Sequence, residues 1–286
     1  MSDAAELEWP RRVTILGVGL LGGSVALAIR RVCPTATIVG FARSEAKQKT
    51  LTELGIVDQA VGSVDVACRE SDVVVVAAPV DKIAEMAIQA TRAAPRDCLV
   101  TDVGSTKSQI VDAVAADPEA EARFVAAHPI AGSEKSGPQH ATESLFEGKV
   151  VVITPGPRTP DAQLEKARRF WQLTGGQTHE MTPAEHDTHL AAISHVPHLV
   201  SALVARLAQP EARSLVGSGW RDITRVAAGD PTLWTAICRE NRAAIGQELD
   251  RFASELEQLR RLLSAADDDA IHRWLTAAKE IKEQTP

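Results

Sequence analysis

Val13-Thr14-Ile15-Leu16 runs directly into Gly17-Val18-Gly19-Leu20-Leu21-Gly22-Gly23-Ser24, and a helical pattern follows from Ser24 to Arg31. The apolar run predicts a buried parallel strand. In that setting each glycine has a separate task. Gly17 makes the tight turn, and Gly19 lets the main chain approach a pyrophosphate with no Cβ in the way. Gly22 and Gly23 let the helix press on the strand. The N-terminus of that helix then offers unpaired N–H groups and the positive end of its dipole to phosphate oxygens, and Leu20 of the turn is among the expected cofactor contacts. A glycine-rich turn alone is a weak signal. Its place between strand and helix predicts a dinucleotide site.

Working outward, strand and helix alternate through the first half. Further strands are expected at Thr37–Ala42, Asp72–Ala78, Cys98–Val103, Phe124–Ala127 and Lys149–Thr154, with helices over Glu45–Leu54 and Lys82–Ala93. That rhythm predicts a parallel sheet covered on both faces, with ligands at the carboxyl ends of its strands. Pro155-Gly156-Pro157 breaks the pattern, Pro160 starts a helix to Leu173, Gly175-Gly176 ends it, and Gln177–Met181 adds a last strand.

After Met181 the character changes. Thr182-Pro183-Ala184-Glu185 is a capping box with proline at the first helical position, and the rest reads helical. Over Arg239–Leu263, Ile245, Leu249, Phe252, Leu256 and Leu259 form one apolar stripe, long enough to pack on a partner chain as well as on its own domain. Asp267-Asp268-Asp269 starts a final helix through Trp274. The expected organisation is an α/β dinucleotide-binding domain over residues 10–181 and a helical substrate and dimerisation domain over residues 182–286.

Composition narrows the class. In 286 residues the formal net charge is -7, which disfavours a nucleic-acid or anionic-membrane surface. The four cysteines, Cys33, Cys68, Cys98 and Cys238, show no CxxC spacing, so neither a zinc site nor a disulfide framework is indicated. Met1 to Pro10 is acidic and polar, unlike a signal peptide. No apolar run reaches the roughly 20 residues that span a bilayer. A cytoplasmic location is expected.

The cofactor's ribose is read at the end of the second strand, where an acid would favour NAD. Here the sequence is Gly40-Phe41-Ala42-Arg43-Ser44, with no acid and a cation followed by a hydroxyl. Arg43 can pair with a 2′-phosphate, stack on adenine, or stand free in solvent. NADP is favoured slightly over NAD. Ala42, Arg43 and Ser44, with Ala78 and Pro79 after the Asp72–Ala78 strand, join the glycine turn as the expected cofactor contacts.

The chemistry is expected where the other strands end. Asp102-Val103-Gly104-Ser105-Thr106-Lys107 closes one strand, and His128-Pro129-Ile130-Ala131-Gly132-Ser133-Glu134-Lys135-Ser136-Gly137 closes another. A serine and a histidine on neighbouring strand ends can hydrogen-bond each other and a substrate hydroxyl, and histidine is suited to take a proton near pH 7. Read alone, His128 fits equally a histidine that holds a turn. Histidines 186, 189, 195 and 198 raise a metal site, including a phosphohydrolase site at His186-Asp187. At about 100° per residue, however, His186 and His195 fall on opposite sides of a straight helix, and no acidic or cysteine cluster completes a ligand set. No metal is expected.

Taken together, Gly17–Ser24, Asp102–Lys107 and His128–Gly137 resemble the prephenate/arogenate dehydrogenase family of tyrosine biosynthesis. Glu185-His186-Asp187, Ser194-His195-Val196-Pro197-His198, Arg221-Asp222-Ile223-Thr224-Arg225 and Asp230-Pro231-Thr232-Leu233-Trp234 continue the likeness in the family's order. The resemblance implies a Rossmann-type domain followed by a helical dimerisation domain, and a homodimer through the C-terminal helices. It implies His128 as the catalytic histidine and Ser105 as the serine that hydrogen-bonds it. Arg225 would grip the ring carboxylate, while His198, His195, Arg221, Glu134 and Trp234 would shape the substrate pocket. By residue type alone, Arg225 would more often be a surface ion pair, a reading that the surrounding motif reverses.

The implied reaction is the oxidative decarboxylation of prephenate. Gly137-Pro138-Gln139-His140 offers no acid to receive arogenate's ammonium, although Glu134 lies close, so prephenate is preferred, with arogenate or dual specificity as the alternative. A chain ending at Pro286 leaves no room for an appended regulatory domain, so any tyrosine inhibition would act at the active site. Two rivals share part of the pattern. One is a 3-hydroxyacid or imine-type dehydrogenase, which lacks His128–Gly137. The other is a non-enzymatic dinucleotide sensor, which has no need of histidine, serine and arginine together.

Overall fold

The protein is described by a computed structural model that covers residues 9–132 and 135–285. In chain order its first half comprises β1 (Arg12–Leu16), α1 (Leu20–Val32), β2 (Thr37–Phe41), α2 (Glu45–Glu53), β3 (Gln59–Val61), α3 (Val64–Cys68), β4 (Val73–Val76), α4 (Val80–Ala93), β5 (Leu99–Asp102), α5 (Ser108–Ala115), α6 (Pro118–Glu121), β6 (Phe124–Pro129), β7 (Val150–Thr154), α7 (Asp161–Leu173) and β8 (Gln177–Glu180). Eight strands among the described residues form one sheet in the order β3-β2-β1-β4-β5-β6-β7-β8.

Strand alternation explains why both faces of this sheet are dry. Val13, Ile15, Val73 and Val75 point to one face with Phe170 and Trp171 of α7. Leu16, Val74, Val76 and Val100 point to the other with Ile83 of α4 and Ile110 of α5. Helices therefore cover both sides, as a buried parallel sheet requires. The order reverses at β1, whose neighbours are β2 and β4, and this is where a doubly wound sheet opens its ligand crevice.

The α/β architecture followed by helices is as expected, with three differences in the sheet half. The short β3 and α3 are additions to the expected elements, because three residues, the exposed Gln59 and the half-buried Ala60 and Val61, leave almost no period to read. The sheet is not wholly parallel: β7 runs antiparallel to β6, with His128 opposite Val152. Among its described residues the connection between them carries only a short 3-10 turn, Pro138–His140, and no crossover helix, so a parallel return is not built. Finally, α1 begins at Leu20 rather than Ser24.

The second half holds α8 (Pro183–Leu190), a π turn (Ala191–His195), α9 (Val196–Leu207), a 3-10 segment (Pro210–Leu215), α10 (Ser218–Thr224), a 3-10 turn (Arg225–Ala228), α11 (Pro231–Glu240), α12 (Arg242–Ala265) and α13 (Asp268–Gln284). The capping box at α8 forms in both directions: Glu185 N–H donates to Thr182 Oγ1, and Thr182 N–H donates to Glu185. The expected helix over Arg239–Leu263 is divided at Asn241, and the last helix runs past Trp274 to Gln284. Of the long stripe, Ile245 is buried and Leu249 half-buried, whereas Phe252 is 39 % and Leu256 55 % exposed. Contrary to expectation, the run Pro183–Leu207 is long and apolar enough overall to cross a membrane. Its buried residues include His186, Asp187, His195 and His198, a face built for polar contacts inside the protein.

Candidate active site

At the sheet's switch point the glycine turn has the shape its sequence predicts. Gly17 sits at φ 103°, and a Cβ there would lie 2.3 Å from the Ala77 carbonyl oxygen. A Cβ on Gly22 would meet Gly17 O at 2.3 Å and Ile15 at 2.8 Å, so this glycine brings α1 against β1. Gly23 has a different neighbour: its hydrogen faces Ala141 of the connection after β6, not the strand. Gly19 opens onto free space and is the N-cap residue of α1, with no side chain capping the helix. An uncapped helix N-terminus beside an open glycine fits a phosphate-bearing cofactor.

Ala42 is buried after β2 and donates its N–H to Val61 O. Arg43 is exposed and makes no ion pair or side-chain hydrogen bond among the described residues. Ser44 has a structural task as N-cap of α2, accepting from Lys47 N–H. Ala78 and Pro79 stand between β4 and α4 on the other side of the switch point.

The end of β6 is pinned by a buried ion pair. Lys107 Nζ donates to Asp102 Oδ2 and to Ala127 O at 3.0 Å, while Asp102 Oδ1 accepts Ala127 N–H at 2.9 Å. Both side chains are fully buried. They fix the residue directly before His128, whose ring is half-buried.

His128 Nδ1 does not bond Ser105 Oγ. It lies 2.8 Å from His186 Nε2, and the rings meet edge to face at 5.1 Å. Burial explains the replacement: His186 is fully covered and needs a partner for each nitrogen. Its Nδ1 lies 2.8 Å from Asp187 Oδ1. The Asp187 carboxylate also accepts the Lys107 N–H at 2.8 Å and the Ser108 N–H at 2.9 Å, so it caps α5 from α8.

His186 and His195 are not on opposite sides of the helix. The π turn over Ala191–His195 inserts an extra residue and rotates the helix beyond it, so both rings are buried in one polar network. Asn241 closes that network. Its Nδ2 donates to Asp187 O at 2.7 Å and lies 3.1 Å from His195 Nδ1. The Ser105 main chain faces the His195 ring, so Ser105 enters the site through its backbone. Beyond His195, Trp234 stacks on His198 with centroids 3.4 Å apart and meets His195 edge to face at 6.2 Å. A Cβ on Gly229 would strike both Trp234 and His198, at 2.6 and 2.9 Å.

Direct contacts therefore join His128 to His186, His195 to Trp234, and Trp234 to His198, with Asp187 and Asn241 linking the two groups. Arg225, at the start of the 3-10 turn after α10, and Arg221 are exposed, and neither guanidinium makes an ion pair or side-chain hydrogen bond among the described residues. Glu134 lies outside the described residues. His186, Asp187, Asn241, Lys107 and Asp102 join the site without having been expected as site residues. The signal for two of them is present in the adjacent His186-Asp187 pair. Asn241 gives none beyond interrupting an apolar stripe.

Burial sets the electrostatics. It is the first cause holding His128 well below the ordinary histidine value, with His186, Lys107 and His195 adding to the shift. Burial also lowers His186, against the opposing bond from Asp187, and brings His195 to about 4. Burial raises Asp187, but the bonds from His186, Ser108 and Lys107 outweigh it together and leave the carboxyl below its ordinary value. The site therefore offers neutral imidazoles backed by one ionised carboxylate.

A family model described as "Prephenate dehydrogenase, nucleotide-binding domain" matches residues 25–180, and one described as "Prephenate dehydrogenase, dimerization domain" matches residues 182–277. The chain is 32% identical over 281 residues to "Prephenate dehydrogenase" of Bacillus subtilis, covering 96% of this chain and 76% of the relative. It is 32% identical to "Cyclohexadienyl dehydrogenase" of Zymomonas mobilis, covering 91% and 90%. Among solved structures, prephenate dehydrogenase from Aquifex aeolicus in complex with hydroxyphenyl propionate and NAD+ superposes with a TM-score of 0.88 at 30% identity, covering 96% of this chain and 98% of that one.

Proposed function

The chain belongs to the prephenate dehydrogenase family, and from that premise we propose that it oxidatively decarboxylates prephenate to 4-hydroxyphenylpyruvate. The observation that carries the reaction is His128, a neutral, half-buried imidazole at the end of β6. Its Nδ1 is committed to His186, and its Nε2 has no partner among the described residues. That nitrogen can receive the proton of the substrate's C4 hydroxyl. The bound nicotinamide supplies the hydride acceptor. Loss of CO2 from the ring then returns an electron pair to the C4 oxygen, which takes its proton back from His128. The protein chiefly supplies orientation and a matched base, because gain of aromaticity drives the second step.

Ser105, at the carboxyl end of β5, is assigned the substrate hydroxyl as partner. Arg225 is assigned the ring carboxylate, which a planar guanidinium can hold at two points. His195, His198 and Trp234 form the wall of the pocket, and Arg221 and Glu134 complete it. The division of labour follows residues 10–181 for the nucleotide and 182–286 for substrate and dimer. Prephenate is favoured over arogenate, since no acid follows in Gly137–His140.

NADP is proposed as the somewhat better nucleotide. Support comes from the missing acid after β2 and from Arg43 beside it, exposed and without a side-chain partner among the described residues. A homodimer through α12 and α13 is supported by the exposed Phe252, Leu256, Leu263, Leu275 and Ile281. An open groove of about 540 Å³ between α9 and α12, reaching Val196, Val200 and Phe252, adds to that support. A cytoplasmic enzyme accords with the acidic net charge and the unpaired cysteines. Nucleotide reduction measured with prephenate, arogenate and simple 3-hydroxyacids tests the assignment. Reduction with a 3-hydroxyacid alone would replace it.

A further inference from the structure

The proton positions in the chain from Asp187 to His128 are fixed from one end. An ionised carboxylate has no proton to give, so Asp187 Oδ1 accepts, and the 2.8 Å contact puts the proton on His186 Nδ1. A neutral imidazole carries one proton, so His186 Nε2 is bare and accepts from His128 Nδ1 at 2.8 Å. The proton of neutral His128 then sits on Nδ1, and the lone pair on Nε2. Asp187 cannot turn away, because Lys107 N–H and Ser108 N–H donate to its two oxygens.

We infer that His186 is a positioning residue of the reaction, holding His128 in the one tautomer whose Nε2 can take the substrate's proton. The inference rests on His128 being the base. It adds that the reactive atom is Nε2 and that a second histidine selects it. The same contact serves the protonated state, since an imidazolium Nδ1–H donates more strongly to His186 than a neutral one. In the Ser-His-Asp triad an orienting carboxylate sets the tautomer directly; here a histidine stands between carboxylate and base. Among the described residues, the other ionisable groups near the pair are Lys107 and Asp102, which neutralise each other, and His195, which Asn241 engages. None of them is bonded to His128 in place of His186.

Imidazole nitrogen NMR on the histidine-labelled wild-type protein reads the tautomer without any substitution, with His128→Asn identifying the signals. The expected result at neutral pH is a protonated Nδ1 and a bare Nε2 on His128; a protonated Nε2 overturns the inference. His186→Leu removes the acceptor. Its kcat with prephenate should fall roughly 10- to 100-fold with unchanged nucleotide affinity. The acidic limb of its kcat profile should move to lower pH: His186 repels His128 only when it is itself charged, and with its own value lowered it is neutral in this range, so the variant loses just the acceptor that stabilises the imidazolium. His186→Gln, whose amide oxygen can accept from Nδ1, should recover part of the loss. A folded His186→Leu with wild-type kcat overturns the inference, as does a uniform loss with an unmoved limb, which a mere brace between helices would give. Wild-type protein that shows the expected tautomer but turns over no prephenate would instead remove the reaction assigned above.

Discussion

The carboxylate of Asp187 accepts the main-chain N–H of Lys107 at 2.8 Å, so a residue from the helical half caps a helix of the sheet half, 80 positions earlier in the chain. The same carboxylate binds Ser108 N–H and His186, which ties the cap to the base. Asp187→Ala leaves two buried or half-buried N–H groups without their acceptor and should cost about 1–3 kcal/mol. Thermal melts of the purified variant check this, with several degrees lost as the expected outcome. The pH dependence has a defined sign. Because the folded carboxyl is lowered below its ordinary value, its stabilisation is full above about pH 4 and is lost as pH falls through the folded value. Asp187→Asn should flatten that acid dependence.

The pH profile of turnover tests the neutral-imidazole site. His128 must be unprotonated to act, and burial holds it well below 6.5. The rate kcat/KM should therefore stay level from about pH 8 to 6.5 and decline only in more acid solution. A decline centred at or above the ordinary histidine value would contradict a buried base.

Nucleotide choice is tested at Arg43. Arg43→Ala should weaken NADP more than NAD if the guanidinium pairs with the 2′-phosphate, a charged contact worth about 1.5–3 kcal/mol. Kd values for both nucleotides, measured by intrinsic fluorescence, decide it. Equal effects would assign Arg43 to adenine stacking or to solvent.

Arg225 tests the dicarboxylate substrate. An ammonium cannot reproduce the planar two-point contact, so Arg225→Lys should raise KM for prephenate roughly ten- to a hundred-fold while nucleotide affinity holds. A folded variant with unchanged KM removes Arg225 from the site. If Arg225 were only a solvated surface cation, the lysine swap would be nearly silent.

The strand ends that carry this chemistry are legible in sequence because the local signals and the tertiary arrangement agree. The run before Gly17, the Val-rich β4 and the strand into His128 each bury both faces, so their apolar continuity survives folding. The capping box at Thr182 is legible for the same reason, since its partners lie within one turn. Features that depend on neighbours distant in sequence are not. Asn241 and Asp187 are joined only by the fold, 54 residues apart, and the Lys107–Asp102 pair reads as an ordinary strand-end loop until burial makes it obligatory. Ser105 reads as the partner of His128 because the two strand ends are neighbours, whereas His186 reaches the ring from the helical half, 58 residues away. A straight helix also separates His186 from His195. The π turn before Val196 has no signature among Ala191, Ala192, Ile193, Ser194 and His195, yet it is what turns His195 toward the side of His186. The antiparallel β7 escapes because a buried antiparallel strand in a mostly parallel sheet has the same apolar continuity as its neighbours.

The most direct test of the whole account is product stoichiometry with prephenate, run side by side for the wild-type protein and His128→Asn. Wild-type protein should form one reduced nucleotide and one 4-hydroxyphenylpyruvate for each CO2 released, followed by absorbance and by chromatography of the same samples. His128→Asn keeps a side chain that can hydrogen-bond but lacks the base, so turnover should fall roughly 10²- to 10⁴-fold while nucleotide binding changes little. Near-normal turnover by His128→Asn, or nucleotide reduction by the wild type without 4-hydroxyphenylpyruvate, would contradict the account.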